Sequence, residues 1–228
     1  MIGPPEQPQT SVRSMYLAIV GIGVLCALLI VTVYSATASR ISENQARFLA
    51  RAVGEVLPAA ETAVPVMITA DDRVVEAAEA AALPAFLGFD ANSDLVGAVV
   101  TAEGMGYQDN IRVLYSYSFE QHAIVGFMVL DSKETPGLGD KIETEPHFVA
   151  NFERLDAKVA ADGDSLLNPI VTVKQGEKTE PWQIDGITGA TITSEAIGSI
   201  LDGSANTWVP VLERNRADLG ELNSGVDE

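Results

Sequence analysis

The sequence predicts an α+β fold: a single N-terminal transmembrane helix followed by one globular domain in which helices pack on an antiparallel sheet. Three observations carry that expectation. Residues 14–39 hold no charged side chain and are dominated by Leu, Ile, Val and Ala. Leu95 to Thr101, Ile111 to Phe119 and Ala123 to Leu130 are β-rich runs separated by short polar turns, the pattern of a meander. Downstream, runs at helical spacing are mixed with single strands, without the strict βαβ order of a doubly wound sheet.

The elements follow in order. After a neutral tail, residues 1–13, in which Glu6 balances Arg13, residues 14–39 form the membrane helix. About 20 helical residues cross a hydrocarbon core of about 30 Å, and this run is longer, with Tyr16 and Tyr34 near the two interfaces. A cleaved signal peptide is the competing reading, and Ser35-Ala36-Thr37-Ala38 offers it small residues, but its apolar region is normally shorter and follows a more basic tail. Arg13 flanks one end and Arg40, Arg47 and Arg51 the other, so counting basic residues does not set the orientation. Residues 40–94 are expected to hold an amphipathic stalk and the first part of the soluble domain. Ile41, Phe48, Leu49, Val53, Val56 and Leu57 recur at helical spacing up to Pro58, with a short strand from Val64 to Ile68 and a short helix from Val74 to Ala82 beyond it. Residues 95–210 form the domain core: the meander, a helix over His147 to Ala161, a strand over Ile170 to Lys174, and a helix from Ser194 to about Val209. Residues 211–228 read as an acidic tail.

Composition excludes several functions. In 228 residues, 32 acidic against 14 basic side chains leave a net charge of −18, so nucleic acid is not an expected partner. One cysteine, Cys26 inside the apolar helix, and two histidines, His122 and His147, give no disulfide framework and no protein-only zinc or iron–sulfur site. Redox chemistry would need a non-metal cofactor. No nucleotide-binding glycine motif survives inspection, since Gly21-Ile22-Gly23 lies in the membrane run and Gly186–Thr191 has no lysine partner. No hydrolase motif is present either, and no residue is assigned a catalytic role.

Two segments invite a ligand. Pro136-Gly137 fits the centre of a type II turn in the loop Glu134-Thr135-Pro136-Gly137-Leu138-Gly139, and Gly139 removes a further side chain, so the backbone could approach a flat ligand. A tight loop without ligand is the plain alternative. The second, Asp185-Gly186-Ile187-Thr188-Gly189-Ala190-Thr191, runs into the last helix, whose free amides and dipole favour a phosphate without any basic side chain. There the plain alternative is that Thr193 or Ser194 merely caps the helix.

With these two motifs the chain resembles the covalently FMN-bound subunits of membrane redox complexes, namely the G subunit of the Rnf complex and the C subunit of the sodium-pumping NADH:quinone reductase. The family pattern Asp-x-x-(Ser/Thr)-Gly-Ala-Thr is met by Asp185, Thr188, Gly189, Ala190 and Thr191, and the Glu-Thr-Pro-Gly-Leu-Gly loop by residues 134–139. The N-terminal anchor and Gly104-Met105-Gly106-Tyr107 add to the likeness, which covers roughly residues 95–205. The segment between Ser39 and Leu95 departs from the family, as does Leu130-Asp131-Ser132, where a basic residue or histidine is common.

The resemblance implies an FMN whose phosphate is esterified to Thr191 by a flavin transferase that reads Asp185 to Ala190. It implies that the 134–139 loop packs against the flavin, with Thr135 and Leu138 as side-chain contacts, and that the domain lies on the extracytoplasmic side of the cytoplasmic membrane. The implied function is electron transfer within an ion-translocating Rnf-type ferredoxin:NAD oxidoreductase, alongside other integral membrane subunits in the lipid bilayer. The alternatives are the C-subunit role in the quinone reductase and a flavin-free membrane-anchored binding domain. Flavin fluorescence surviving on a denaturing gel separates the last from the others.

Overall fold

The computed structural model describes residues 12–77, 85–220 and 222. The chain divides into two compact units, the first ending at Leu49 and the second starting at Ala50. Helix α1, Val12–Val56, supplies the first unit and the opening turns of the second. Its stretch Val12–Ala38 spans 27 residues at a mean hydropathy of 2.7. At 1.5 Å per residue that is about 40 Å, more than a bilayer core requires. The large apolar side chains there, such as Leu25, Leu28 and Ile30, are exposed, as lipid-facing residues would be. The amphipathic continuation ends at Val56, just before Pro58, as the spacing predicts.

The second unit is built on a seven-stranded, wholly antiparallel sheet in the order β2-β1-β3-β4-β5-β6-β7. Strands β1 (Thr62–Ile68), β2 (Val74–Glu76) and β3 (Ala85–Phe89) form one wing. The predicted meander, β4 (Leu95–Met105), β5 (Asn110–Ser118) and β6 (Ala123–Asp131), forms the centre, and β7 (Leu155–Asp156) closes the far edge. Val74–Glu76 is therefore a strand and not the expected start of a helix; Val66 to Ile68 pair with it, and this pairing overrides a helical spacing only a few residues long. The remainder of that expected helix, from residue 78, lies outside the described residues.

The helix expected over His147 to Ala161 is one α-turn, α2 (Pro146–Val149), then a 3-10 turn at Ala150–Glu153, then β7. The apolar spacing is real, because Phe148 and Phe152 are buried side by side against Phe127, with the Phe127 and Phe152 rings stacked at 4.2 Å. What ends the helix is tertiary pairing. Asp156 N–H donates to Pro181 O and Ala157 N–H to His122 O, pulling the chain into the sheet edge. A parallel pair, β8 (Val171–Val173) and β9 (Gln183–Asp185), precedes the last helix, α3 (Thr191–Leu219). Helix α3 begins three residues before the predicted Ser194 and runs through Pro210 into the expected acidic tail. Val211, Leu212 and Leu219 are buried there, so burial of this continued apolar stripe outweighs the proline's missing donor.

Strand alternation sorts the two faces. Ala98, Val100 and Ala102, paired with Tyr117, Tyr115 and Val113, share the main core with Ile197, Leu201, Ala205 and Val209 of α3. The residues between them point the other way. On that face Gly88, Gly97 and Gly126 leave space for the last turn of α1: a Cβ on Gly88 would come within 2.6 Å of Leu57, and one on Gly126 would overlap the Val56 carbonyl. Ser116 Oγ donates to that same carbonyl. Val99 and Leu114 are thereby fully buried together with Val53, Val56 and Leu57.

A chain lacking residues 1–39 is thus expected to be a soluble, monodisperse domain, whereas one lacking residues 1–60 should aggregate or unfold at a clearly lower temperature. Size-exclusion chromatography and thermal unfolding of the two forms test this; equal behaviour would show that the end of α1 is no part of the domain's core.

Candidate functional site

Three segments distant in sequence meet at the N-terminus of α3. The β4–β5 turn is closed by Gly106 N–H donating to Asp109 O at 2.9 Å. In the loop after β6, Leu138 N–H donates to Thr135 O at 3.1 Å and Gly137 has φ +78°, so residues 135–138 have the type II form that Pro136-Gly137 predicts. The third segment repeats the device: Ala190 N–H donates to Ile187 O at 3.0 Å and Gly189 has φ +86°.

Polar contacts fasten the first two segments together. Lys133 Nζ donates to Asp109 Oδ2 at 2.7 Å, and Thr135 Oγ1 donates to Gln108 Oε1 at 3.2 Å. The Lys133 contact and the Asn110 amide hold the Asp109 carboxyl below its ordinary range, and the same carboxylate raises the Lys133 ammonium. Glu134 joins the third segment. Its carboxylate is buried, with Oε1 accepting Gln108 N–H at 2.9 Å and Oε2 accepting Thr193 Oγ1–H at 2.6 Å.

Helix α3 opens at Thr191 with Ala190 in the capping position and no side-chain cap. Ser194 is the first residue whose amide donates back, to Ala190 O, so the amides of Thr191, Ile192 and Thr193 have no partner in the helix. The plain alternative, that Thr193 or Ser194 merely caps the helix, therefore does not hold, because both lie inside its first turn and no side chain caps it. Thr193 is used by Glu134, and Ser194 Oγ accepts Ile187 N–H at 3.1 Å, pinning the turn from below. Of the four neighbouring hydroxyls, Thr193 and Ser194 are buried while Thr188 and Thr191 are exposed.

Two clefts of about 340 Å³ each flank Thr191, at the small end of the range of ligand sites, about 300–1,000 Å³. The first lies between the loop and the helix, with Glu134, Thr135, Leu138 and Gly139 on one side and Gly189 to Thr193 on the other. Tyr107, Leu138 and Ile192 give it an apolar rim, at 65%, 49% and 56% exposure. The second lies behind the helix start and is lined by Thr188, Gly189, Lys174, Gln175 and Glu195. Thr191 borders both. These residues suit a phosphorylated flat ligand: a free hydroxyl, amides left open at a helix start and an apolar-rimmed slot adjoin one another.

Seven of the residues singled out from sequence thus line the first cleft: Glu134, Thr135, Leu138, Gly139, Gly189, Ala190 and Thr191. The others stand apart from it. Pro136 and Gly137 form the tip of their turn, and a Cβ on Gly137 would meet only open space. Gly139 makes room for protein and not for a ligand, since a Cβ there would lie 2.5 Å from Glu134 Oε2. Thr188 borders the second cleft. Asp185 faces the β8–β9 connection, its carboxylate accepting Gly176 N–H at 2.6 Å and its backbone held by the Asn151 amide. Lys178, which donates to Asn151 Oδ1, is drawn below its ordinary value by burial. His147 Nε2 lies 3.1 Å from Gly186 O, so this histidine braces the motif from behind. Sequence reasoning missed Tyr107 and Ile192 as cleft walls and Thr193 as a tether. Gly104-Met105-Gly106-Tyr107 was the available signal: a Cβ on Gly106 would lie 2.5 Å from Glu134 Oε1, which is why the turn carries glycine there.

Fold and site define a class: an FMN-binding domain behind a one-helix membrane anchor. Residues 106–203 match the FMN-binding domain family. The chain is 31% identical over 195 residues to the G subunit of the ion-translocating oxidoreductase complex of Methanosarcina acetivorans, covering 86% of this chain and 93% of the relative. It is 30% identical over 222 residues to the G subunit of the same complex in Cereibacter sphaeroides, covering 95% and 93%. The chain belongs to this G-subunit family of ion-translocating oxidoreductase complexes, and other subunits are accordingly its partners. NqrC of Shewanella oneidensis has the same fold at a TM-score of 0.56 and 18% identity, over 72% of this chain and 95% of that one. The C subunit of the Na⁺-translocating NADH-quinone reductase of Parabacteroides distasonis does so at 0.54 and 22%, over 67% and 78%.

The two loop glycines should respond differently to alanine. Gly139→Ala forces Glu134 or Thr193 aside and should destabilise the domain by about 1–3 kcal/mol. Gly137→Ala meets no atom and loses about 1 kcal/mol through its positive φ. Urea unfolding of the two variants checks the order; a larger loss at Gly137 would contradict the packing described.

Proposed function

We propose that Thr191 carries FMN as a phosphoester, attached by a flavin transferase, and that the chain relays electrons through it within an Rnf-type ion-translocating ferredoxin:NAD oxidoreductase. The observation that carries this reading is the isolation of the Thr191 hydroxyl. It is exposed, makes no hydrogen bond among the described residues, belongs to the first residue of α3 and borders both clefts. Thr193 and Ser194 are spent on internal hydrogen bonds, and Thr188 lies away from the apolar-rimmed cleft.

In this reading the chain's residues divide the work. The amides at the start of α3 receive the phosphate charge, with Lys174 at the border of the second cleft, which a chain of net charge −18 could not achieve by general attraction. Leu138, Tyr107 and Ile192 shield one side of the slot from water, and the 134–139 loop supplies its wall. FMN supplies the capacity to take up and release electrons, and the ester keeps it on the protein. We assign the domain to the extracytoplasmic side, with α1 in the lipid bilayer, where a covalent link prevents loss of the cofactor. The C-subunit role in a quinone reductase has the fold in its favour, whereas the identity over nearly whole chains supports the G-subunit role.

Co-production with a flavin transferase tests the assignment. Thr191→Ala should abolish in-gel flavin fluorescence while changing stability by no more than about 0.5 kcal/mol, because an exposed side chain is lost and no cavity is made. Thr193→Ala should keep the adduct. Peptide mass spectrometry that maps FMN to Thr188, or finds no adduct on the wild-type chain, would falsify the reading.

A further inference from the structure

The Glu134 carboxylate is 6% exposed, yet it borders the cleft beside Thr191, and its hydrogen bonds serve the protein and not a ligand. Both oxygens accept: Oε1 from Gln108 N–H at 2.9 Å, Oε2 from Thr193 Oγ1–H at 2.6 Å. Two donors therefore converge on the carboxylate, and an O–H···O contact as short as that from Thr193 is of the strong, charge-assisted kind. Its partner Thr193 lies in the first turn of α3, where the helix dipole favours a negative charge. The group cannot swing away. The α-carbons of Gly106 and Gly139 press on it from two sides, each so near that a Cβ would stand 2.5 Å from one of its oxygens.

We propose that Glu134 is a positioning residue that also acts as a fixed negative charge for the flavin. It ties the 134–139 loop to the first turn of α3, so the two walls of the cleft keep their spacing. Its charge opposes the gain of electrons by a ring lodged between those walls and so holds the flavin's midpoint potential low. This inference rests on the assignment of FMN to Thr191. It separates Glu134 from the transferase reaction: the carboxylate lies on the loop and not in the Asp185–Thr191 segment, and it holds Thr193 while leaving the Thr191 hydroxyl free.

Glu134→Gln isolates the charge. The amide oxygen can accept from Gln108 N–H and the amide NH₂ can donate to the Thr193 hydroxyl, which rotates to accept, so both contacts persist without the charge. Glu134→Ala removes contacts and charge together. The experiment uses the full-length chain in detergent, co-produced with a flavin transferase, and reads three quantities: FMN on Thr191 by mass spectrometry, the visible circular dichroism of the bound flavin, and its midpoint potential in a dithionite titration. All forms should carry FMN. Glu134→Gln should keep the wild-type dichroism and shift the potential to more positive values. Glu134→Ala should lose several-fold of the dichroic signal, as a ring released from its walls does, and should this variant not fold, Glu134→Gln alone decides the charge role. A Glu134→Gln potential equal to wild type, or undiminished dichroism in a folded Glu134→Ala, overturns the inference while leaving FMN on Thr191 intact. Absence of FMN from Thr191 in the wild-type chain overturns the functional reading, and this inference with it.

Discussion

The packing of α3 across the central strands is the constraint on which the rest depends. Ala98, Ala102 and Gly104 keep that face of β4 low, and a Cβ on Gly104 would already press within 2.6 Å of Ile200. The helix can therefore lie close to the sheet and bury Ile197, Leu201, Ala205, Val209 and Leu212. Full burial of a Val, Leu or Ile side chain stabilises by about 1.5–3 kcal/mol, so this seam dominates any single polar contact in the domain. Because the helix cannot slide without unseating these side chains, its N-terminus is held at one end of β4, beside the β4–β5 turn.

That fixed end explains the economy of the site. The helix start offers amides, and the chain uses it without a cap, against the usual preference for a side-chain oxygen at this position. The hydroxyls that could have capped are turned inward, Thr193 to Glu134 and Ser194 to Ile187. What remains outward is the Thr191 hydroxyl, next to the amides that the helix leaves open. An uncapped helix start is a small local loss of stability, and it is kept here at a point where two loops converge on a cleft. Such local conflicts with the rules of folding are expected where a ligand completes the structure.

The opposite face of the sheet follows a different logic. Gly88, Gly97, Gly126 and Ser116 make a shallow bed in which the end of α1 lies, with backbone so close to backbone at Gly126 that no other side chain fits. The last turns of α1 thus belong to the domain's core and are not a free stalk. The segment between Ser39 and Leu95 accordingly includes both this helix end and the β1–β3 wing of the sheet.

Much was legible in the sequence because it rests on local physics. The uncharged run before Arg40 announces a membrane helix by length, the period-two runs announce the meander, and Pro136-Gly137 announces a type II turn because φ is set at one residue and freed at the next. The pairing of the two motifs also marked Thr191. Hidden from the sequence were the outcomes of competition between local preference and distant partners. Val74–Glu76 became a strand because β1 offered it hydrogen bonds, the Phe148–Phe152 helix stopped because the sheet edge captured Asp156, and α3 ran on through Pro210 because an apolar stripe awaited it. Glu134 is the clearest case. The motif names it but not its task, since the amide of Gln108 and the hydroxyl of Thr193 lie 26 and 59 residues away. Local sequence determined the spans, the turns and the identity of the hydroxyl-bearing segment; only the tertiary structure decided which hydroxyl of the first helical turn is left free, because Thr193 is taken by Glu134, which the fold brings from 59 residues away, and Ser194 by the turn that leads into the helix.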